Sequence, residues 1–184
     1  GPWFQSNLFS VPGLILHLSA TIWLLASVIK PLLGGSKLWT PGMLHLITAY
    51  IWILAPVIIA PLIILEVPGF PGAGIEQNAP QALIYGWVLQ FGYAILPLLF
   101  RRVFVANTPD RLGGNWFSLI AVHLGGTLLW AGIFIADSQP VLHGLAYGLW
   151  FVSLIPIVYE LWQIVRSGIH RAEDHLATVA EASD

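Results

Sequence analysis

The sequence contains no cysteine and is poor in charge, with seven basic and nine acidic residues among its 184. The absence of cysteine excludes disulfides, zinc–thiolate sites and covalent attachment of a c-type haem. Charged residues make up 9% of the chain, whereas soluble domains carry about 25%. This composition excludes an ordinary water-soluble domain, and we expect no nucleic-acid partner.

Long apolar runs dominate the sequence, which is 57% hydrophobic with a mean hydropathy of +0.80. A helix that crosses a bilayer needs about 20 mostly apolar residues. Five stretches are long enough: 9–33, 42–66, 79–105, 115–136 and 140–165. We therefore predict an all-α integral membrane protein, with one five-helix bundle over residues 3–166 and a polar cytoplasmic tail over 167–184.

The N-terminal region needs separate treatment. Gly1 and Pro2 look like an expression scar left by protease cleavage, and they are left out of the fold. Residues 9–33 are too long for the apolar part of a signal peptide and lack a basic leader. No cleavable signal peptide is expected.

The basic residues indicate how the chain is oriented. In a five-span arrangement all of them follow spans one, three and five, whereas Glu66, Glu76 and Asp137 follow the other spans. Basic residues concentrate on the cytoplasmic side. We predict an outside N-terminus, a cytoplasmic C-terminus and a multi-pass location in the inner (plasma) membrane of a bacterium or archaeon. The basic residues are Lys30, Lys37, Arg101, Arg102, Arg111, Arg166 and Arg171.

Four histidines lie within or near the ends of the predicted spans, where a titratable side chain is costly and marks a candidate functional site. His17 and His123 occur in similar local sequences, His-Leu-Ser-Ala-Thr-Ile and His-Leu-Gly-Gly-Thr-Leu. A helical rise of about 1.5 Å per residue places His17 and His143 in the outer half of the membrane. It places His45 and His123 in the inner half, so the sequence predicts two histidine pairs.

The local similarity extends to a second couple of spans, which suggests a repeat. Spans one and four are similar, and spans two and five are similar more weakly. The members of each couple cross the membrane in opposite directions, as inverted repeats do. An inverted repeat of helices 1–2 and 4–5 would relate the outer histidine pair to the inner one. The matched residues are His17 and Thr21 with His123 and Thr127, and His45 and Trp52 with His143 and Trp150.

Facing imidazoles in a helical bundle are suitable axial ligands for haem iron. We predict two haem b groups, one ligated by His17 and His143 and the other by His45 and His123. Other residues share the histidine faces by helical spacing: a glycine can open a slot, threonines can orient an imidazole, and tryptophans can pack on a porphyrin edge. Ordinary helix packing is the alternative for each of them. These residues are Gly126, Thr21, Thr127, Trp52, Trp130 and Trp150.

The third span carries a likeness to a known family. The segment Ala-Leu-Ile-Tyr-Gly-Trp-Val-Leu-Gln over 82–90, continuing to Ile95-Leu96-Pro97 and Arg101-Arg102, resembles a helix of the haem–copper oxidase catalytic subunit. The likeness covers residues 79–105 and, more loosely, 17–23. It implies a relative of that subunit or of the short membrane haem proteins related to it.

This resemblance does not include the family's metal-ligating residues. In that family a haem-ligating histidine usually precedes the Tyr-Gly-Trp segment, and here the corresponding place is near Ala79, in a span without histidine. The family's ligand set is therefore not transferred. Five spans also do not supply its copper-ligand cluster, so oxygen reduction by this chain alone is not expected.

Three functional hypotheses follow. The first is a b-type cytochrome that moves electrons across the membrane, with a quinone or another redox protein as partner, rather than a stand-alone enzyme. The second is a small inverted-repeat transporter or channel in which histidines and Glu160 relay protons along helices broken at prolines 56, 97 or 156. The third is a structural or assembly subunit without a cofactor, in which the histidines only join helices. Glu160 has a structural alternative of its own, in which it reaches the membrane interface or pairs with Arg166. The small-residue surface of the chain would also permit a homodimer.

Overall fold

The computed structural model is all-helical and describes residues 7–35, 38–64, 67–105 and 109–181. Within these ranges, six α-helices and two short helical segments are described here in chain order. The α-helices are α1 (Asn7–Leu32), α2 (Pro41–Ile64), α3 (Gly72–Gln81), α4 (Leu89–Phe104), α5 (Trp116–Phe134) and α6 (Gln139–Glu181). A π-helical segment (Ala82–Val88) joins α3 to α4, and a 3₁₀ turn (Ala136–Ser138) precedes α6.

Five of the resulting helical units are long and apolar enough to cross a bilayer: α1, α2, the continuous α3–α4 unit, α5 and α6 with its preceding turn. This confirms the predicted number of spans and the all-α class. Helix α5 is the most buried of the five, and α1 is the least. The core therefore lies around α5, against which α6 packs most extensively.

The helix boundaries differ from the predicted ones in two places. The segment between the predicted spans 42–66 and 79–105 is partly helical, because α3 already begins at Gly72. Helix α6 runs from Gln139 to Glu181 without a break, so the predicted tail continues the last span as a helix. The predictions that concern Gly1, Pro2, Lys37, Glu66 and Asp184 lie outside the described residues.

Two indole rings hold α5 against its neighbours. A side chain at Gly126 would fall on the ring of Trp52 from α2, and one at Gly125 would lie 2.7 Å from Nε1 of Trp150 on α6. Both tryptophans are buried. Adjacent glycines on α5 thus let two large rings from opposite neighbours approach the helix backbone closely.

The π-helical segment lies at the same contact. A side chain at Gly86, inside this segment, would also fall on the Trp52 indole. The backbone carbonyl of Gly86 accepts a hydrogen bond from Nε2 of Gln90, at 2.6 Å. Trp52 is consequently wedged between Gly86 and Gly126, and it joins α2 to both the third and the fourth span.

The connection between α4 and α5 packs into one end of the bundle. Its Gly113 amide donates to the carbonyl of Ala94 at 2.9 Å, close to Pro97, which lacks an amide and cannot make the usual helical bond. A side chain at Gly113 would fall on Pro97. Gly114 has a φ of +88°, and Asn115 then caps α5 through a reciprocal pair of bonds with Ser118.

The close contact of Trp52 with Gly86 and Gly126 predicts that alanine substitutions at different glycines of this bundle change its stability by different amounts. Replacing Gly126 with Ala would overpack the Trp52 contact, and we expect a loss of about 1–3 kcal/mol in the free energy of unfolding. Gly144 and Gly148 on α6 have nothing within 4 Å of an added Cβ. The same change at either position should be neutral or stabilising by up to about 1 kcal/mol.

Thermal and SDS unfolding of the three detergent-solubilised variants would measure this difference. Equal stability of the Gly126→Ala and Gly148→Ala variants would contradict the close packing of Trp52 on Gly126.

Candidate functional site

The largest buried polar cluster among the described residues surrounds His45 and His123. His45 is fully buried on α2, and His123 is half-buried on α5. Thr48 and Gln90 link the two imidazoles by hydrogen bonds. The structure therefore brings the predicted inner histidine pair into one network.

The bonds of His45 identify which ring nitrogen carries its proton. Nδ1 lies 3.2 Å from Oε1 of Gln90. Because the Gln90 amide nitrogen donates to the Gly86 carbonyl, the oxygen faces His45, and an oxygen of this kind only accepts. Nδ1 of His45 must then be the donor, which makes Nε2 the acceptor when the imidazole is neutral.

Ser118 provides the partner of this second nitrogen. Its hydroxyl oxygen lies 3.0 Å from Nε2 of His45 and also 3.0 Å from the carbonyl oxygen of Asn115. A serine hydroxyl has one proton to donate. It can therefore serve either the imidazole or the carbonyl, but not both at once.

The hydrogen bonds of His123 allow only one protonation state of its imidazole. Its Nδ1 accepts a hydrogen bond of 3.2 Å from Nε1 of Trp52, and an indole N–H can only donate. The two rings also stack, with centroids 5.7 Å apart. Nδ1 must consequently stay unprotonated, and Nε2 donates to Oγ1 of Thr48 at 2.7 Å. This arrangement holds His123 in its neutral form.

The link between the two imidazoles does not pass protons directly. The Thr48 hydroxyl donates to the Leu44 carbonyl at 2.7 Å, and its alternative acceptor is Oε1 of Gln90 at 3.3 Å. The same Gln90 oxygen accepts from His45. His45 and Thr48 can both only donate to this oxygen, and an amide oxygen has no proton to pass on. Gln90 therefore interrupts any proton transfer between His45 and His123.

A second pair of buried hydroxyls adjoins His45. The edge of the Tyr93 ring meets the imidazole at a centroid distance of 5.5 Å. The Ser153 hydroxyl donates to the Trp150 carbonyl at 2.6 Å. The Tyr93 hydroxyl must therefore donate to Ser153, also at 2.6 Å. These bonds connect α4 to α6 without using the imidazole nitrogens.

The predicted outer pair is not joined in the described part of the chain. His17 is exposed on α1, although Thr21 one turn later is buried. His143 is half-buried on α6, and its Nε2 donates to the Leu129 carbonyl at 3.2 Å. Helix α1 packs mainly on α2, and no described contact joins His17 to His143.

The remaining predicted residues serve mainly in packing. Trp150 is buried, donates to the Val122 carbonyl at 3.1 Å and stacks on Tyr85. Thr127 is exposed, and its hydroxyl donates to the backbone carbonyl of His123 at 2.9 Å rather than to an imidazole nitrogen. The Nε1 of Trp130 is buried and has no acceptor among the described residues.

The inner pair does not fit a bis-histidine haem in this arrangement. Iron ligation needs one nitrogen of each imidazole, but both nitrogens of His45 and both of His123 bond to protein groups. The slot that Gly126 was predicted to open is filled by Trp52. Haem ligation by these histidines stays a prediction that would require this network to rearrange.

An ion pair lies at the end of the bundle near the α4–α5 connection. Glu160 on α6 pairs with Arg101 on α4, rather than with Arg166, the partner considered from the sequence. Its second carboxylate oxygen accepts from the Gly114 amide at 3.3 Å, and Arg101 also donates to the Arg111 carbonyl at 2.7 Å. Glu160 therefore anchors the α4–α5 connection, in which Gly114 packs against the His45 ring.

Sequence reasoning missed three members of the site. Gln90, Ser118 and Asn115 determine which protons His45 holds, yet none of them was selected. Gln90 gave a usable signal, since it is an amide side chain inside an apolar span. Ser118 and Asn115 gave a weaker one, because they lie at the predicted start of a span, where capping residues are common.

Comparison of the chain with protein-family models, with curated proteins and with solved structures found no match.

The hydrogen-bond network predicts a large cost for removing its central amide. Replacing Gln90 with Leu leaves Nδ1 of the buried His45 without an acceptor. We expect this change to lower the free energy of unfolding by about 1–3 kcal/mol. Gln163 is a suitable control because it is exposed on α6, where a Leu should change stability by less than about 0.5 kcal/mol.

Chemical unfolding in detergent would compare the two variants with the parent chain. Similar stability for Gln90→Leu and Gln163→Leu would contradict the assigned network.

Proposed function

We propose that this multi-pass protein is a proton-coupled transporter or channel in which His45 is the proton-binding group. We further propose an outside N-terminus, a cytoplasmic C-terminus and a location in a bacterial or archaeal plasma membrane, from the distribution of basic residues. The observation that supports the function best is the Ser118 hydroxyl, which lies 3.0 Å from both Nε2 of His45 and the Asn115 carbonyl.

This geometry allows His45 to gain a proton without leaving a buried group unpaired. When the imidazole is neutral, Ser118 donates to Nε2. When Nε2 is protonated it donates to Ser118, whose hydroxyl turns to the Asn115 carbonyl, while Nδ1 keeps its bond to Gln90. An unpaired buried donor or acceptor costs about 1–3 kcal/mol, and this exchange avoids that cost in both states.

The other histidine of the pair has a different role in this proposal. Trp52 can only donate to Nδ1 of His123, so a proton on that nitrogen would place two donors against each other. His123 therefore acts as a fixed neutral neighbour, and protonation is confined to His45. Glu160 is a structural anchor here, because it pairs with Arg101 on α4 and accepts from the Gly114 amide in the α4–α5 connection.

The proposal predicts proton movement that depends on His45. The chain would be reconstituted in liposomes that contain a pH-sensitive dye, and a potassium diffusion potential would drive proton entry. We expect a flux above that of protein-free liposomes and a decrease of at least about tenfold for His45→Gln, which can still form hydrogen bonds but does not titrate in this range. A flux equal to that of empty liposomes, or unchanged by His45→Gln, would refute the proposal.

Serine variants supply matched controls for the same assay. Ser118→Ala should lower the flux because it removes the alternating hydroxyl, whereas Ser118→Thr should retain much of it. Ser153 is equally buried but contacts Tyr93 and Trp150 rather than an imidazole. Ser153→Ala should therefore leave the flux close to that of the parent chain.

A b-type cytochrome is the second candidate, with a quinone or a redox protein as its partner. It is favoured by the buried Trp130 N–H, which has no acceptor in the described part of the chain and could donate to a bound cofactor's oxygen. Haem ligation at the inner pair would require Gln90, Ser118, Thr48 and Trp52 to release the imidazoles.

An absorption spectrum separates these two candidates. We expect protein purified from haem-replete cells to show no haem bands before or after dithionite reduction. Low-spin haem bands that disappear in both His45→Gln and His123→Gln would instead support the cytochrome. A colourless protein without proton flux would leave the structural subunit as the better hypothesis.

A further inference from the structure

A cavity of about 320 Å³ lies between the third span and α6, and none of the residues that bond to His45 or His123 lines it. Tyr85 and Leu89 form its wall on the third span. Sites for small molecules have volumes of about 300–1,000 Å³ and combine aromatic walls with a few polar groups. The cavity therefore suits a ligand with one ring system. Its wall on α6 consists of Tyr147, Trp150, Phe151 and Leu154.

This cavity is accessible from the lipid rather than from water. Tyr85 lies 13 residues after Gly72 and 19 residues before Phe104, the two ends of the third span. Such a position is near the middle of the membrane. Phe151 and Tyr147, which line the cavity, are 70% and 39% exposed on the surface that faces lipid. A ligand of this cavity must therefore be soluble in the membrane.

The aromatic walls are already held in position. The Tyr85 ring stacks on Trp150 with centroids 4.5 Å apart and 12° between the ring planes, and the Trp150 N–H donates to the Val122 carbonyl. The Tyr147 ring meets both of these rings edge-on, at centroid distances of 6.1 and 5.6 Å, and its hydroxyl donates to Gln81. Because these side chains are fixed, binding of a ligand would cost little further ordering.

The Tyr85 hydroxyl supplies a hydrogen-bond donor at the cavity. It has no hydrogen-bond partner among the described residues, and the hydrocarbon core of a bilayer contains no water to replace one. A lipid acyl chain offers no acceptor at this depth. A flat ring that carries a carbonyl oxygen can stack on the aromatic walls and accept from Tyr85. Tyr85 also belongs to the π-helical segment, and such segments are frequent at functional sites.

We propose that this cavity binds the ring of a membrane-soluble quinone. A quinone combines a flat ring, carbonyl oxygens and a tail that stays in lipid. These three features match the aromatic walls, the unpaired Tyr85 hydroxyl and the opening toward the membrane. The inference concerns binding alone and involves no electron transfer, and it does not depend on the proton-binding role of His45.

Photolabelling of the full chain in lipid nanodiscs would test the proposal. The probe is an azido derivative of ubiquinone, and mass spectrometry of the digested protein would locate the label. We expect label on fragments that contain Tyr85 or residues 147–154, and its loss in an excess of unmodified ubiquinone. Tyr85→Phe keeps the ring but removes the donor. It should raise the probe concentration for half-maximal labelling about threefold to tenfold, as expected for the loss of one hydrogen bond.

Two further variants sharpen the test. Tyr159 lies on α6, is exposed and does not line the cavity. Tyr159→Phe removes the same hydroxyl and should leave the half-maximal concentration unchanged. Phe151→Ala removes an exposed ring that lines the cavity. Because little of this ring is buried in the bundle, the variant should fold normally and still bind the probe severalfold more weakly.

Three outcomes would overturn the proposal. Label spread over many lipid-facing fragments, without protection by ubiquinone, would identify partitioning into the bilayer instead of a site. Equal protection by farnesol, an isoprenoid alcohol without a ring, would assign the cavity to a lipid chain. Equal half-maximal concentrations for the parent chain, Tyr85→Phe and Phe151→Ala would exclude the cavity as the quinone site.

Discussion

The contact on which the rest of the structure depends is the indole of Trp52 between Gly86 and Gly126. Two spans contribute a residue without a side chain at the same level, and a third contributes the ring that fills the space. In a bilayer the apolar surface of helices gains little from leaving lipid, so close packing and interhelical hydrogen bonds must hold a bundle together. Trp52 supplies both, since it packs on two helices and donates to His123.

This packing contact also determines the chemistry of the site. The Trp52 N–H requires an unprotonated Nδ1 on His123, and the Nε2–H of that imidazole then donates a hydrogen bond to Thr48. On the other side of the wedge, the Gly86 carbonyl orients the Gln90 amide, and that orientation assigns the proton on His45. Two similar side chains thus become unequal: His123 is held neutral, whereas His45 keeps a hydroxyl partner that can change direction.

The sequence predicts those features that depend on one helix at a time. Span number and histidine depth follow from length and apolar content, because each helix must satisfy its own backbone in lipid. The bonds of Gln90 depend on how helices rotate against each other. The depths predicted from the sequence place His45 and His123 in the same half of the membrane. They do not reveal that the ring nitrogens bond to Gln90, Ser118, Thr48 and Trp52.

The repeated histidine pattern shows where local similarity loses its meaning. His17 and His123 have similar sequence neighbours, yet His17 is exposed on the least buried span, whereas His123 belongs to the most buried one. The residue three positions later distinguishes them physically. Gly126 admits an indole from α2, which then bonds to His123, whereas the corresponding Ala20 is exposed. An imidazole in a membrane protein is therefore defined by the helix that packs beside it, more than by the residues that precede and follow it.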